Sequence, residues 1–147
     1  MERRKFLTLG MATLVALPVA TWATDYRAEK PKAWTAQNVD TAIKALYGEI
    51  KPLEKGIHLT IPKVASNGAA IPVKIKSDLD LKSLSVFQDV NPEATVASYS
   101  IGEGAIIEYF LKIKMAKSGS IVVIGEGRDG TFYKASHSLE TTPGCEG

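Results

Sequence analysis

Residues 71–76 read IPVKIK, and the fold turns on how this stretch is taken. Ile71, Val73 and Ile75 alternate with Pro72, Lys74 and Lys76, a period of two that places apolar side chains on one face of an extended strand and polar ones on the other. The same alternation occurs upstream in residues 57–61 (IHLTI) and downstream at 84–87 (LSVF). Further strand-like runs cover 95–101, 106–115, 120–125 and 131–139. Within 106–115, Ile107, Tyr109, Leu111 and Ile113 share one face. Turn residues separate the runs: Ser66-Asn67-Gly68, Ser77-Asp78, Asn91-Pro92, Gly102-Glu103-Gly104, Lys117-Ser118-Gly119 and Arg128-Asp129-Gly130. Seven short strands at this spacing predict a mainly β chain, an immunoglobulin-like antiparallel β-sandwich without the disulfide of antibody domains.

Before the strands the period is different. Val39, Ile43, Leu46 and Tyr47 recur at helical spacing, which predicts one N-terminal amphipathic helix over 35–47, capped by Thr35 or Asn38 and stopped at Gly48. Residues 24–34 are polar, include Pro31, and read as a loose lead-in. Residues 1–23 (MERRKFLTLGMATLVALPVATWA) have a basic start, an apolar run over 7–17 and small residues at Thr21 and Ala23. The run is too short to span a bilayer and has the layout of an export signal cut after Ala23. A retained amphipathic helix is the alternative. Arg3-Arg4 followed by Phe6-Leu7 partly matches a twin-arginine signal, which exports folded proteins; ordinary secretion of an unfolded chain is the other route. The organisation expected is thus signal 1–23, lead-in 24–34, helix and sandwich 35–140, and a flexible C-terminal arm 141–147. With no cysteine near the cleavage region, a lipoprotein anchor is excluded, and no stable membrane association is expected.

The 147-residue chain carries 18 basic and 16 acidic residues, but residues 24–147 carry 15 of each. With no basic excess and few aromatics to stack on bases, nucleic-acid binding has no support. Gly125-Glu126-Gly127-Arg128-Asp129-Gly130 matches G-x-G-x-x-G, yet Thr131-Phe132-Tyr133 continues as a strand where a dinucleotide site needs a helix. It reads as a hairpin turn. His58 and His137 sit in separate predicted strands without the neighbours that a copper or zinc site needs, so no metal ligands are assigned. Ser100, Ser118 and Ser120 lack a nucleophile elbow, and Asp78 and Asp80 read as a solvated turn. No catalytic residue is assigned, and no enzyme activity or cofactor is expected.

The last seven residues, TTPGCEG, hold the single cysteine of the chain. An unpaired cysteine in an exported protein points to an intermolecular bond or a reactive thiol. Gly144 leaves the backbone unencumbered before Cys145, while Glu146 and the terminal carboxylate of Gly147 disfavour the thiolate. Such a thiol reacts when another protein's site activates it. These are the properties of a carrier arm, formed by Thr141, Thr142, Pro143, Gly144, Cys145, Glu146 and Gly147. A tail whose cysteine makes adventitious dimers is the plain alternative.

These residues resemble the SoxY family, sulfur-carrier subunits of periplasmic thiosulfate oxidation. The resemblance includes the leader, the helix, Val64-Ala65-Ser66-Asn67-Gly68 with Ile71-Pro72-Val73, Val90-Asn91-Pro92, Asp129-Gly130-Thr131-Phe132-Tyr133 and the tail cysteine. The family tail reads Gly-Gly-Cys-Gly-Gly; here Pro143 and Glu146 replace two glycines, stiffening the base of the arm and adding charge beside an anionic cargo. The resemblance implies that Cys145 carries sulfur intermediates covalently. It also implies a periplasmic location and a heterodimer with a SoxZ-like sandwich subunit. The further partners it implies are a c-type cytochrome, a thiosulfohydrolase and sulfane-processing enzymes. Two rival readings stand beside it: a periplasmic adaptor or structural sandwich whose tail cysteine forms an intermolecular disulfide, and a SoxY paralogue with altered cargo.

Overall fold

The computed structural model describes residues 25–142. Two sheets face each other across a common core. Strands β1 (Ile57–Thr60), β3 (Ile71–Ser77) and β6 (Ile107–Ile113) form a three-stranded sheet in the order β1-β3-β6. Strands β2 (Val64–Ala65), β8 (Phe132–Thr141), β7 (Gly119–Gly127), β4 (Leu81–Gln88) and β5 (Thr95–Ser100) form a five-stranded sheet in that order. All strand pairings are antiparallel except the two-residue pairing of β2 with β8. The architecture is the immunoglobulin-like sandwich expected from the alternation.

The period-two stretches behave as their pattern dictates. In β3, Ile71, Val73 and Ile75 are fully buried while Pro72, Lys74 and Lys76 are exposed. Pro72 lies in a central strand, a position that normally needs its missing N–H. Here β1 pairs only with residues 74–77 of β3, so Pro72 has a strand neighbour on one side alone. The main core gathers these residues with Leu84, Val86, Ile121, Val123 and Leu139 from the opposite sheet.

The outer face of the larger sheet is covered, and there the structure departs from the expected single helix. Helices α1 (Tyr26–Glu29), α2 (Pro31–Thr35) and α3 (Val39–Tyr47) form a cap. The lead-in is therefore helical up to Thr35. It is held by tertiary bonds: the Thr95 hydroxyl donates to the Ala33 carbonyl at 2.6 Å, and the Ala94 N–H donates to the Ala36 carbonyl at 2.9 Å. Ala36 is extended, which separates α2 from α3 and moves the start of the main helix from residue 35 to Val39. Asn38 is its N-cap, its side chain accepting the Thr41 N–H at 2.8 Å, and Gly48 closes it with an N–H bond to the Lys44 carbonyl. Ala42 and Leu46 of α3 are buried in a second core with Phe87, Val122 and Ile124.

A hydroxyl chain fastens this cap to the sheet. The Tyr47 hydroxyl lies 2.6 Å from Ser85 Oγ and 3.3 Å from Ser83 Oγ, Ser85 meets Ser98 at 2.8 Å, and Ser83 donates to Glu126 at 3.0 Å. Burial pushes the Tyr47 phenol up to about 12, against an ordinary value of 10.0, with the serine hydrogen bonds opposing part of the rise. Below the ordinary value the phenol is protonated in both folded and unfolded chains. Between there and about 12 the unfolded chain loses the proton and the folded one keeps it, so stability falls as pH rises through this window, by about 2–3 kcal/mol in full. A Tyr47→Phe protein is expected to lose stability less steeply across that alkaline window in urea titrations. Equal slopes for both proteins would mean that Tyr47 ionises without resistance.

Candidate functional site

The tail leaves the sandwich from β8, and its root is built from three loops. Thr141, expected as the first residue of the arm, is the last residue of β8 and pairs with Ala65 of β2. Its N–H donates to Ser118 Oγ at 2.9 Å. Thr142 is held as well: its N–H and its hydroxyl both donate to the Ala65 carbonyl at 3.3 Å. The first two residues of the expected arm thus belong to the body, because the short parallel strand β2 offers a backbone acceptor just where β8 ends. Pro143, Gly144, Cys145, Glu146 and Gly147 lie outside the described residues, as do Arg3 and Arg4 and the rest of the leader.

Gly68 fits closely against this root. Its carbonyl accepts the Met115 N–H at 2.9 Å. A Cβ there would sit 3.1 Å from the Met115 carbonyl oxygen, close enough that this backbone would have to give by a few tenths of an ångström, and in ordinary contact with Thr141 Cγ2 at 3.6 Å. The loop after β4 braces the same segment. Asn91 donates through Nδ2 to the Lys114 carbonyl at 2.6 Å and accepts the Ala116 N–H at 2.9 Å. Fully buried Gln88 organises that loop, its Oε1 accepting the Val90 and Asn91 N–H groups at 2.7 Å and its Nε2 donating to the Glu93 carbonyl at 2.7 Å. Two of the sequence segments that carry the family resemblance, residues 64–68 and the stretch around Asn91, therefore converge on the end of the sandwich from which the cysteine-bearing tail departs. Gln88 carries no signal in the sequence, and Ser118 reads there as a turn residue without a nucleophile elbow. A glutamine in a strand and a serine in a turn are too common to signal such roles.

The third segment, residues 129–133, lies at the opposite end of β8. Gly130 has φ +86° in a tight turn, where the Gly127 N–H donates to the Thr131 carbonyl at 2.8 Å and the Thr131 N–H donates to Asp129 at 3.0 Å. The glycine motif is thus a β7–β8 hairpin. Backbone and side-chain bonds from Thr131 hold the Asp129 carboxyl below the usual carboxylate range. Arg128 ties this turn to the body through Asp80 at 2.9 Å and the Ile101 carbonyl at 2.7 Å, so Asp80 has a structural partner.

The remaining candidates stay apart. His58 is exposed on β1 and His137 is exposed on β8, and among the described residues no group of three or more His, Cys, Asp or Glu side chains is placed to hold a metal. Ser120 Oγ meets Ser138 Oγ at 3.0 Å across the β7–β8 ladder. Among the described residues no helix is long and apolar enough to cross a membrane.

A two-sheet sandwich with a helical cap on one sheet and the end of its last strand braced by loops defines a class of protein: an immunoglobulin-like β-sandwich. The chain belongs to the family described as sulfur oxidation protein SoxY, whose model matches residues 43–145, from within α3 to the cysteine itself. Among solved structures it is similar to the sulfur carrier protein SoxY from Chlorobium limicola f thiosulfatophilum. The two share 28% identity with a TM-score of 0.64, covering 78% of this chain and 98% of that one. A superoxide reductase (neelaredoxin) from Ignicoccus hospitalis matches at 12% identity with a TM-score of 0.53, covering 60% of this chain and 81% of that one. At that identity the likeness shows the shared fold alone. No curated protein matches the chain in sequence.

Proposed function

We propose that this protein is a covalent sulfur carrier of the periplasm, holding intermediates of reduced-sulfur oxidation on the thiol of Cys145 and presenting them to partner enzymes. The observation that carries this reading is the family match, which runs to residue 145 and so takes in the only cysteine of the chain. The braced root at Thr141 and Thr142 supports it, because a thiol that visits other active sites needs a fixed point on a stable body. The leader of residues 1–23 supports the location.

The chemistry balances on that single sulfur. Thiosulfate joins the Cys145 thiol to give a cysteine S-thiosulfonate, forming one S–S bond and releasing one proton and two electrons. A c-type cytochrome partner takes the electrons. Hydrolysis by a thiosulfohydrolase then breaks the bond between the sulfane sulfur and the sulfonate group, releasing sulfate and two protons and leaving a persulfide anion on Cys145. Sulfane-processing partners consume the persulfide. In this scheme the chain is a non-catalytic subunit with no resident cofactor, working beside a SoxZ-like sandwich. Pro143, whose ring fixes its own φ, and Glu146 stand where the family pattern has glycines, and Glu146 adds a negative charge beside the cargo.

Intact mass of the protein from its native periplasm, before and after reduction, tests the reading. Reductant-labile additions of sulfur or thiosulfonate mapped to Cys145 are expected in cells oxidising sulfur compounds. A bare thiol, or a crosslinked dimer as the sole modified form, would favour the adaptor.

A further inference from the structure

The three-stranded sheet has its inner face in the core, whereas the larger sheet has helices on its outer face. The smaller sheet's outer face carries Pro72, Lys74 and Lys76 of β3 beside Glu108, Phe110 and Lys112 of β6, all exposed. Register sets Lys74 opposite Phe110, Lys76 opposite Glu108 and Pro72 opposite Lys112. Phe110 is 66% exposed, and Ile106, four residues earlier along the same chain, is 87% exposed. Charged side chains alone would be the ordinary protection of an open edge such as β6. Two large apolar side chains set among them work against that protection, and an exposed aromatic with Lys74 opposite and Glu108 and Lys112 to either side along the strand has the form of an anchor with a charged border.

The charge is one-sided. Glu108 is shared by Lys74 at 3.6 Å and Lys76 at 3.1 Å, and the Lys76 contact, with its charge, holds Glu108 below the usual carboxylate range. Three lysines on this face thus meet one carboxylate, although residues 24–147 as a whole carry 15 basic and 15 acidic residues. The excess is local. The strip continues through Lys112 and Lys114 into an open groove of about 580 Å³ that Asn91, Pro92 and one carboxylate, Glu93, also line. That groove adjoins Met115, whose N–H is bonded to Gly68 at the root of the tail. From Phe110 to Met115 is five residues, about 17 Å along an extended chain.

We infer that the outer face of the β1-β3-β6 sheet, centred on Phe110 and bordered by Lys74 and Lys112, docks an acidic surface of another protein that offers an apolar recess to the phenyl ring. The ring supplies the desolvated anchor, and the lysines steer approach and fix orientation. This inference rests on side chains of the sandwich and stands apart from what Cys145 carries.

A photoreactive benzophenone side chain in place of Phe110, in the full-length chain in its native periplasm, tests it. Crosslinked peptides are sequenced, with and without Lys74→Glu and Lys112→Glu together. Capture of a partner peptide flanked by Asp and Glu, with a yield at least tenfold lower in the charge-reversed protein, is the expected result. Unchanged yield after charge reversal, capture of a second copy of this chain, a peptide without carboxylates or no crosslink would each overturn it. Unchanged thermal midpoints show that the reversed protein is folded. Intact mass of Cys145 from the same cells keeps the two ideas separable: a bare thiol beside an intact acidic crosslink would sink carriage and leave the docking surface standing.

Discussion

Cys145→Ser is expected to abolish sulfur carriage completely while leaving a folded body. The serine hydroxyl is isosteric enough to preserve the tail but cannot form the S–S bond that the cargo needs. Among the described residues, both hydrophobic cores are assembled from side chains between Ala33 and Leu139. The unfolding midpoint should therefore match that of the parent. Intact mass should show no sulfur additions, and growth on thiosulfate should fall to the level of a deletion strain. Sulfur-dependent growth surviving in the serine protein would refute the carrier assignment, whatever the family match.

The second large effect concerns the body. Phe87 is fully buried on the helix-covered face of β4, in the cluster that includes Leu46, Val122 and Ile124. Truncation to alanine removes its contacts and leaves a cavity between cap and sheet, costing about 3–5 kcal/mol. A domain of this kind has about 5–15 kcal/mol to lose, so the variant sits near the edge of folding. Guanidinium unfolding should show the loss as a lower midpoint at an unchanged slope. A loss under about 1 kcal/mol would mean that the cap contributes little and that the sandwich stands without it.

The contrast between Phe87 and Ile75 shows what was legible in the sequence. Strands with one wet face, such as β1 and β3, display alternation directly, and their observed burial follows it closely. Strand β4 does not, because the helical cap buries its outer face too; Ser83 and Ser85 are buried there as polar groups, Gln88 is buried on the opposite face beside Ile121, and together they obscure the period. Only residues 84–87 showed it, whereas the strand runs from Leu81 to Gln88. Strand β2 is two residues long and too short to have a period. Helices α1 and α2 escaped notice because distant hydroxyl and amide donors on residues 94–95 hold the segment that contains them, and a local pattern contains no trace of such bonds. At the site, the thiol was legible as an unpaired cysteine, but the footing of its tail on Ala65, Gly68 and Ser118 depends on three loops that meet only in the fold.

That footing has a mechanical consequence. With Thr142 fastened to Ala65, the tether begins at residue 142, and only three peptide units separate it from Cys145. At about 3.6 Å each, covalent geometry allows the Cα of Cys145 no more than about 11 Å from that of Thr142, before the length of the side chain and its cargo is added. On the carrier reading proposed above, a partner that acts on the thiol would have to come down close to the end of the sandwich, and the leash length would become a gauge that sorts which enzymes can work on the cargo.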